Sequence, residues 1–172
     1  MFAKKQFAGT WYFCPRKDNR MRKITLPFLN CKSPIPVICL PLINGSQTFA
    51  IVDTGAEISL YDKGAKETNP DLFVSSKHLG AGSLTGISET VEKDFYVSKI
   101  EMTLKQKETE SVPLKFVATE HDLTSTLKPL VDNENLPGSI PFLFGSDLLT
   151  KFRAKIDMRK RTISLSIKIP AA

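Results

Sequence analysis

Short apolar-polar alternations separated by turn residues follow one another along most of this chain, and a period of two is the mark of half-buried strands. Pro36 to Leu42 reads as one strand, with Pro41 confining it to a sheet edge or a bulge. Asn44-Gly45 is a two-residue turn signal, and Thr48 to Val52 is the returning arm of a hairpin. Ile58 to Tyr61 predicts a further short strand, followed by a polar, turn-rich stretch from Asp62 to Pro70. Leu72-Phe73-Val74 and the residues around Leu79 lead into Gly80-Ala81-Gly82-Ser83-Leu84-Thr85-Gly86, whose three glycines predict a mobile hairpin tip. Val91 to Thr103 and Val112 to Ala118 alternate as two more strands, joined by the charged turn Lys105 to Ser111. Glu120 to Ile140 is polar and holds Pro129, Asn133, Asn135, Pro137 and Gly138, which predicts a long surface loop. Phe142-Leu143-Phe144 then meets Gly145 and turns into a short helix over Ser146 to Lys151, with Ser146 placed to cap it. Phe152 to Met158 and Ile163 to Ile169 alternate on either side of Lys160-Arg161, giving a C-terminal hairpin. Many strands and one short helix make this an all-β chain.

Length and composition narrow the class without naming it. A chain of 172 residues suits one domain with a sizeable core. Residues 34–172 carry the strand pattern, and residues 1–33 read as an N-terminal extension or linker, or as a strand that packs on the core. No apolar run approaches the roughly 20 residues of a membrane span, and Met1 to Gln6 lacks the apolar core of a signal peptide. Three cysteines (Cys14, Cys31, Cys39) are an odd number without paired spacing, which points to free thiols in a reducing, cytoplasmic compartment. Cys14 and Cys31 form no Cys-x-x-Cys, and both histidines, His78 and His121, lie far from them, so no metal site is expected. Neither histidine has a nucleophile motif around it, which removes the Ser and Cys hydrolases. No cofactor motif is present: the glycine-rich stretch is not followed by Gly-Lys-Ser/Thr and sits in no βαβ pattern. The net charge of +6 allows loose attraction to polyanions. Its densest cluster, Lys151 to Arg161, alternates with apolar residues and reads as the wet face of a strand, and the aromatic-plus-basic pattern of a nucleic-acid reader is missing.

The candidate chemistry lies in Phe49-Ala50-Ile51-Val52-Asp53-Thr54-Gly55-Ala56. Four apolar residues deliver an aspartate to the end of a buried strand, where a carboxylate is costly unless paired or hydrogen-bonded. An Asp in a tight turn would look the same, with Gly55 supplying the backbone freedom and Thr54 a local cap. The second segment, Leu143-Phe144-Gly145 and the helix after it, changes the balance. In order, spacing and flanks the two segments resemble the retropepsin-like aspartic proteases of retroviruses and LTR retroelements, over about residues 34–169.

That resemblance implies a retropepsin-like closed β-barrel or sandwich with a flap hairpin and one short helix. It implies an aspartic endopeptidase acting on peptides or a Gag-Pol-like polyprotein, in the cytoplasm or within virus-like particles. Asp53, Thr54 and Gly55 would be the catalytic turn, and Ala56, Glu57 and the flap residues Gly80, Ala81, Gly82, Ser83 and Leu84 would line the substrate. The chain holds a single Asp-Thr-Gly, so the second carboxylate would come from a homodimer. Many family members pair the acid at the Glu57 position with an arginine after the hydrophobic-hydrophobic-Gly motif; Ser146 stands there instead, so that ion pair is absent or rewired. Two other readings compete. One keeps the fold but not the activity, as a dimerising or peptide-binding module. The other, a basic nucleic-acid-binding barrel, leaves Asp53 and Gly145 without a purpose.

Overall fold

The computed structural model describes residues 3–7, 10–14, 20–29, 35–85, 90–107, 109–134, 137 and 139–169. β1 (Ala3–Phe7) and β2 (Thr10–Cys14) pair as an antiparallel hairpin of their own. Seven strands form the main sheet: β4 (Val37–Pro41), β5 (Gln47–Val52), β6 (Leu60–Asp62), β7 (Phe73–Thr85), β8 (Thr90–Lys105), β9 (Ser111–His121) and β10 (Phe142–Phe144), in the order β4-β5-β10-β6-β9-β8-β7. β3 (Arg20–Pro27), β11 (Lys155–Asp157) and β12 (Thr162–Ile169) form a second sheet in the order β11-β12-β3. The helices are α1 (Lys63–Thr68), α2 (Leu123–Glu134) and α3 (Ser146–Lys151), with a 3-10 turn at Pro70–Leu72. No described helix is long and apolar enough to cross a membrane.

The all-β class holds, but the barrel is not closed. The two sheets stack as a sandwich, with Ile24 and Leu26 of β3 and Ile163, Leu165 and Ile167 of β12 buried against Ile100, Met102, Leu114 and Phe116 of the main sheet. An isolated bridge from Phe28, just after β3, to Ile38 of β4 joins the two layers, and one from Leu42, just after β4, to Leu104 of β8 curls the main sheet without completing a ring. Closure needs the two outer strands to pair. One of them, β4, ends in Pro41, which has no N–H to give, and the other, β7, runs out with β8 beyond the rest of the sheet. Of the stretch read as an extension, residues 20–29 run into the folded body: β3 pairs with β12 from Arg20↔Ile169 to Pro27↔Thr162.

Three α-helices, not one, are present. The long surface loop expected over 120–140 holds α2. Asp122 caps it, its carboxylate accepting from Ser125 N at 2.9 Å, and Leu123 and Leu127, four residues apart on one face, are buried. They join Val37, Ile51, Leu60, Ile140 and Leu143 in a second core on the other side of the central strands. Burial of two leucines contributes about 1.5–3 kcal/mol each, enough to offset a Pro in a helix this short. α1 is hidden in the polar stretch after β6: buried Asp62 caps it, accepting from Gly64 N at 3.0 Å, and its other oxygen accepts from Thr124 N of α2 at 2.8 Å. The turn between β4 and β5 has three residues rather than two. Gly45 N donates to Leu42 O, Gly45 sits at φ +85°, and Leu42 N donates to Ser46 O, a type I turn closed by a glycine bulge.

Candidate active site

β5 ends at Val52 and the chain turns through residues 53–59 before descending as β6. Between these two antiparallel arms lies β10, parallel to β5 (Phe144↔Val52) and antiparallel to β6 (Leu143↔Leu60). The turn therefore arches over the end of β10, where Gly145 emerges. Alternation along β10 explains the anchoring: Phe142 and Phe144 stack edge-on against Phe116 in the main core, while Leu143 faces the second core.

Backbone bonds fix the arch. Asp53 N donates to Phe144 O (3.1 Å), Ser146 N to Ala56 O (2.8 Å) and Asp147 N to Glu57 O (3.2 Å). Gly145 passes so close beneath that a Cβ there would stand 2.5 Å from both C and O of Ile58 and 3.0 Å from Ala56 O. Its φ of −84° is open to any residue, so close approach and not backbone freedom requires the glycine. Ser59, buried within the arch, accepts from Gly145 N (3.0 Å) and donates to Asp147 Oδ1 (2.7 Å), which also accepts from Leu148 N. Sequence reasoning missed Ser59. The signal available was a hydroxyl set in an apolar strand, a place where a buried polar group needs partners.

The Asp53 carboxylate is half-buried and accepts from Gly55 N at 2.9 Å; among the described residues it has no ion pair. Thr54, Gly55 and Glu57 are exposed, and Ala56 is half-buried. Ser146 is the first residue of α3 rather than its cap: the cap is Gly145, and the Ser146 hydroxyl donates to Glu57 O at 3.1 Å. The link between the two motifs thus runs through the Glu57 backbone, and the Glu57 carboxylate is left to solvent. Asp147 serves the arch through Ser59. Among the described residues, no group of three or more His, Cys, Asp or Glu side chains is placed to hold a metal.

Gly80 to Leu84 stand in the rising arm of a hairpin and not at its tip. β7 and β8 pair from Gly80↔Phe95 to Thr85↔Thr90, so the tip falls at 86–89, outside the described residues. The glycines have other duties there. Gly80, at φ +95°, makes a bulge after His78, and Gly82 leaves room for the Phe95 ring, 3.0 Å from where a Cβ would sit. β9 pairs with β8 only as far as Val97↔Thr119, so the outer part of the hairpin is a two-stranded ribbon. Thr119 is level with Leu60, the first residue of β6, so the ribbon parts from the sheet level with the strand that leaves the Asp53 arch. The base of the ribbon is tied by a buried polar chain: Ser76 Oγ to Ser98 Oγ (2.7 Å), Ser98 Oγ to Tyr61 OH (2.9 Å) and Tyr61 OH to Glu120 Oε2 (3.0 Å). Burial, with the Glu120 carboxylate beside it, pushes the Tyr61 hydroxyl up to about 12, so it stays a donor.

Two solved structures are similar to this arrangement. The retroviral protease-like domain of Ddi1 from Leishmania major shares 16% identity, with 86% of this chain and 96% of that one covered and a TM-score of 0.41. A retropepsin-like aspartic protease from Rickettsia conorii shares 15% identity, with 92% and 100% covered and a TM-score of 0.46. No family model matches the sequence, and no curated protein does. Likenesses at this identity and TM-score assign neither family nor chemistry to this chain.

Proposed function

We propose that the chain is an aspartic endopeptidase, active as a homodimer in which two copies of Asp53 meet at the two-fold axis. One observation carries the reading: a carboxylate at the end of a buried strand is held on a backbone-pinned arch whose solvent side consists of Thr54 and Gly55. Rigid support from the chain's own backbone, with the carboxylate itself left accessible, is what a preorganised catalytic group needs. Among the described residues Asp53 has no second carboxylate partner, and a two-fold axis beside the arch would supply one.

Two such carboxylates about 3 Å apart cannot both ionise and would share one proton. The ionised member takes a proton from a water lying between them, and the water attacks the scissile carbonyl. The protonated member donates to the carbonyl oxygen as the tetrahedral centre forms. Thr54 would hold the turn across the axis, and Gly55 lets substrate backbone approach. Extended peptide would lie between the arch as floor and the β7–β8 ribbon as flap, adding to the site as a strand does and placing alternate side chains in apolar pockets. Ala56, Glu57 and the ribbon residues Gly80 to Leu84 would line that cleft. The substrate class is a peptide or polyprotein, of the Gag-Pol kind where the chain belongs to a retroelement.

The test is cleavage of a diverse peptide mixture at mildly acidic pH by wild type and Asp53→Asn, across a dilution series. Cleavage by wild type alone, with activity per mole falling on dilution, is the expected result. Cleavage retained in the variant would remove the mechanism, and no cleavage by a demonstrably dimeric wild type would leave a binding module.

A further inference from the structure

The three-stranded sheet carries the positive charge of the whole molecule. Residues 20–29 and 151–169 supply β3, the end of α3, β11, β12 and the turns between them. They hold ten of the 24 Lys and Arg but one of the 18 Asp and Glu. The remainder has 14 basic against 17 acidic residues, so the excess of +6 comes from the two segments that build this sheet and its turns. In the sequence, the cluster at 151–161 reads as a solvated strand face. Pairing of β3 with β12 changes that by bringing Arg20, Arg22 and Lys23 onto the same sheet from the other end of the chain.

The inner face is apolar. The outer face carries Lys23, Thr25, Ser164, Ser166, Lys168 and Lys155, with Thr25 Oγ1 2.9 Å from Ser164 Oγ. Lys23, Lys155 and Lys168 are exposed and make no ion pair among the described residues. The one acid, Asp157, is committed to its own turn, accepting from Lys160 N at 2.9 Å and lying 3.8 Å from Lys160 Nζ. Eight paired residues at about 3.3 Å each give a two-stranded face about 26 Å long, which β11 widens to about 10 Å at one end.

We infer that this face docks the sugar-phosphate backbone of a nucleic acid without reading its sequence. Cationic side chains with small hydroxyls between them are the donors that phosphate oxygens take, and they position a strand without selecting bases. No aromatic ring stands on these outward positions to stack a base. An anionic membrane fits less well, because surface insertion needs an apolar face. The exposed apolar residues here, Met21 and Met158, stand at opposite ends of β12 and form no single patch.

The test uses the full chain and a fluorescent 20-nucleotide RNA of mixed sequence, titrated by anisotropy between 50 and 200 mM salt. Wild type is expected to bind with a dissociation constant of about 1–100 μM and to weaken steadily as salt rises. The triple variant Lys23→Ala, Lys155→Ala, Lys168→Ala should bind at least about tenfold more weakly at the lowest salt and lower the salt slope by about 2. A charge-matched control, Lys63→Ala, Lys77→Ala, Lys128→Ala, lies off this sheet and should stay within about twofold of wild type. Melting curves check that each variant is folded. Equal loss in the two triple variants would overturn the inference, since net charge alone would then explain binding. So would failure of wild type to bind RNA at 50 mM salt, whether or not it bound vesicles containing phosphatidylserine.

Discussion

Gly145→Ala should destabilise this protein far more than Gly55→Ala, although both glycines belong to the same arch. The methyl group at 145 would sit 2.5 Å from Ile58 C and O and 3.0 Å from Ala56 O, all backbone atoms. Ordinary contact needs about an ångström more, and no side chain can swing aside to provide it. Residues 56–58 would have to lift, straining the bonds from Ser146 N to Ala56 O, from Asp147 N to Glu57 O and from Ser146 Oγ to Glu57 O. Overpacking of this kind costs about 1–3 kcal/mol, and weakening one or two hydrogen bonds adds about 1 kcal/mol each. A total near 3 kcal/mol lowers the melting temperature of a chain this size by about 6–12 °C. At 55 the added methyl would meet Asp53 Oδ1 at 3.3 Å, a side-chain atom that can turn. Gly55→Ala should therefore stay within about 1 kcal/mol of wild type in stability while losing the proposed peptidase activity, because it displaces the carboxylate assigned to that role.

Circular dichroism melts of the three proteins at one fixed concentration decide the matter, since the proposed dimerisation would make the midpoint concentration-dependent. A Gly145→Ala midpoint within about 2 °C of wild type would refute the reasoning, because the arch would then be soft. A Gly55→Ala midpoint as low as that of Gly145→Ala would refute it from the other side.

Other expectations rest on single residues. Asp62→Ala strips an acceptor from Gly64 N and Thr124 N at once, so α1 and α2 should both exchange their first-turn amides faster and the fold should lose about 2–3 kcal/mol. Unchanged exchange in either helix would show that water replaces the cap. Glu101 is held below the usual carboxylate range by Lys115 and then Lys99. Its contribution is present above the ordinary glutamate value and fades as pH falls through the lowered one, so Glu101→Gln should narrow the stability gap between neutral and acid pH. A variant with the same acid slope as wild type would show the pair to be fully screened.

The two motifs of the site were legible because each is local. An apolar strand that ends in Asp53-Thr54-Gly55, and another that ends in Gly145, carry their meaning in a few consecutive residues, as do the alternating strands around them. What escaped was set by distant partners. α2 looked like a loop because Pro129 and the polar residues around it dominate the composition; its helical signal was only Asp122 as cap and Leu123 with Leu127 at four-residue spacing. α1 is too short to show a period and buries only Ala65. The glycines at 80 and 82 suggested a hairpin tip because glycine marks flexible turns and close approach alike, and sequence cannot tell which is meant. The choice of β12 as the partner of β3, and with it the gathering of the positive charge, depends on residues more than a hundred positions apart.

The same arch explains why this site is rigid and still incomplete. Gly145, Ser59 and Asp147 bind it from below, and every bond they make is within the chain. Above it, the Asp53 carboxylate has Gly55 N and, among the described residues, no second acid paired with it. A lone ionised carboxylate can accept a proton from water, but it has none to give to a carbonyl oxygen, and peptide hydrolysis needs both acts at one centre. On the proposed reading, folding alone would therefore yield half of a catalytic device. A second copy would supply the missing half without any new residue, provided that the axis passes beside Thr54 and Gly55, which are exposed. The proposed catalysis would then depend on protein concentration as well as on Asp53. A mutation at the proposed axis that leaves the melting of the monomer unchanged should still silence the proposed activity.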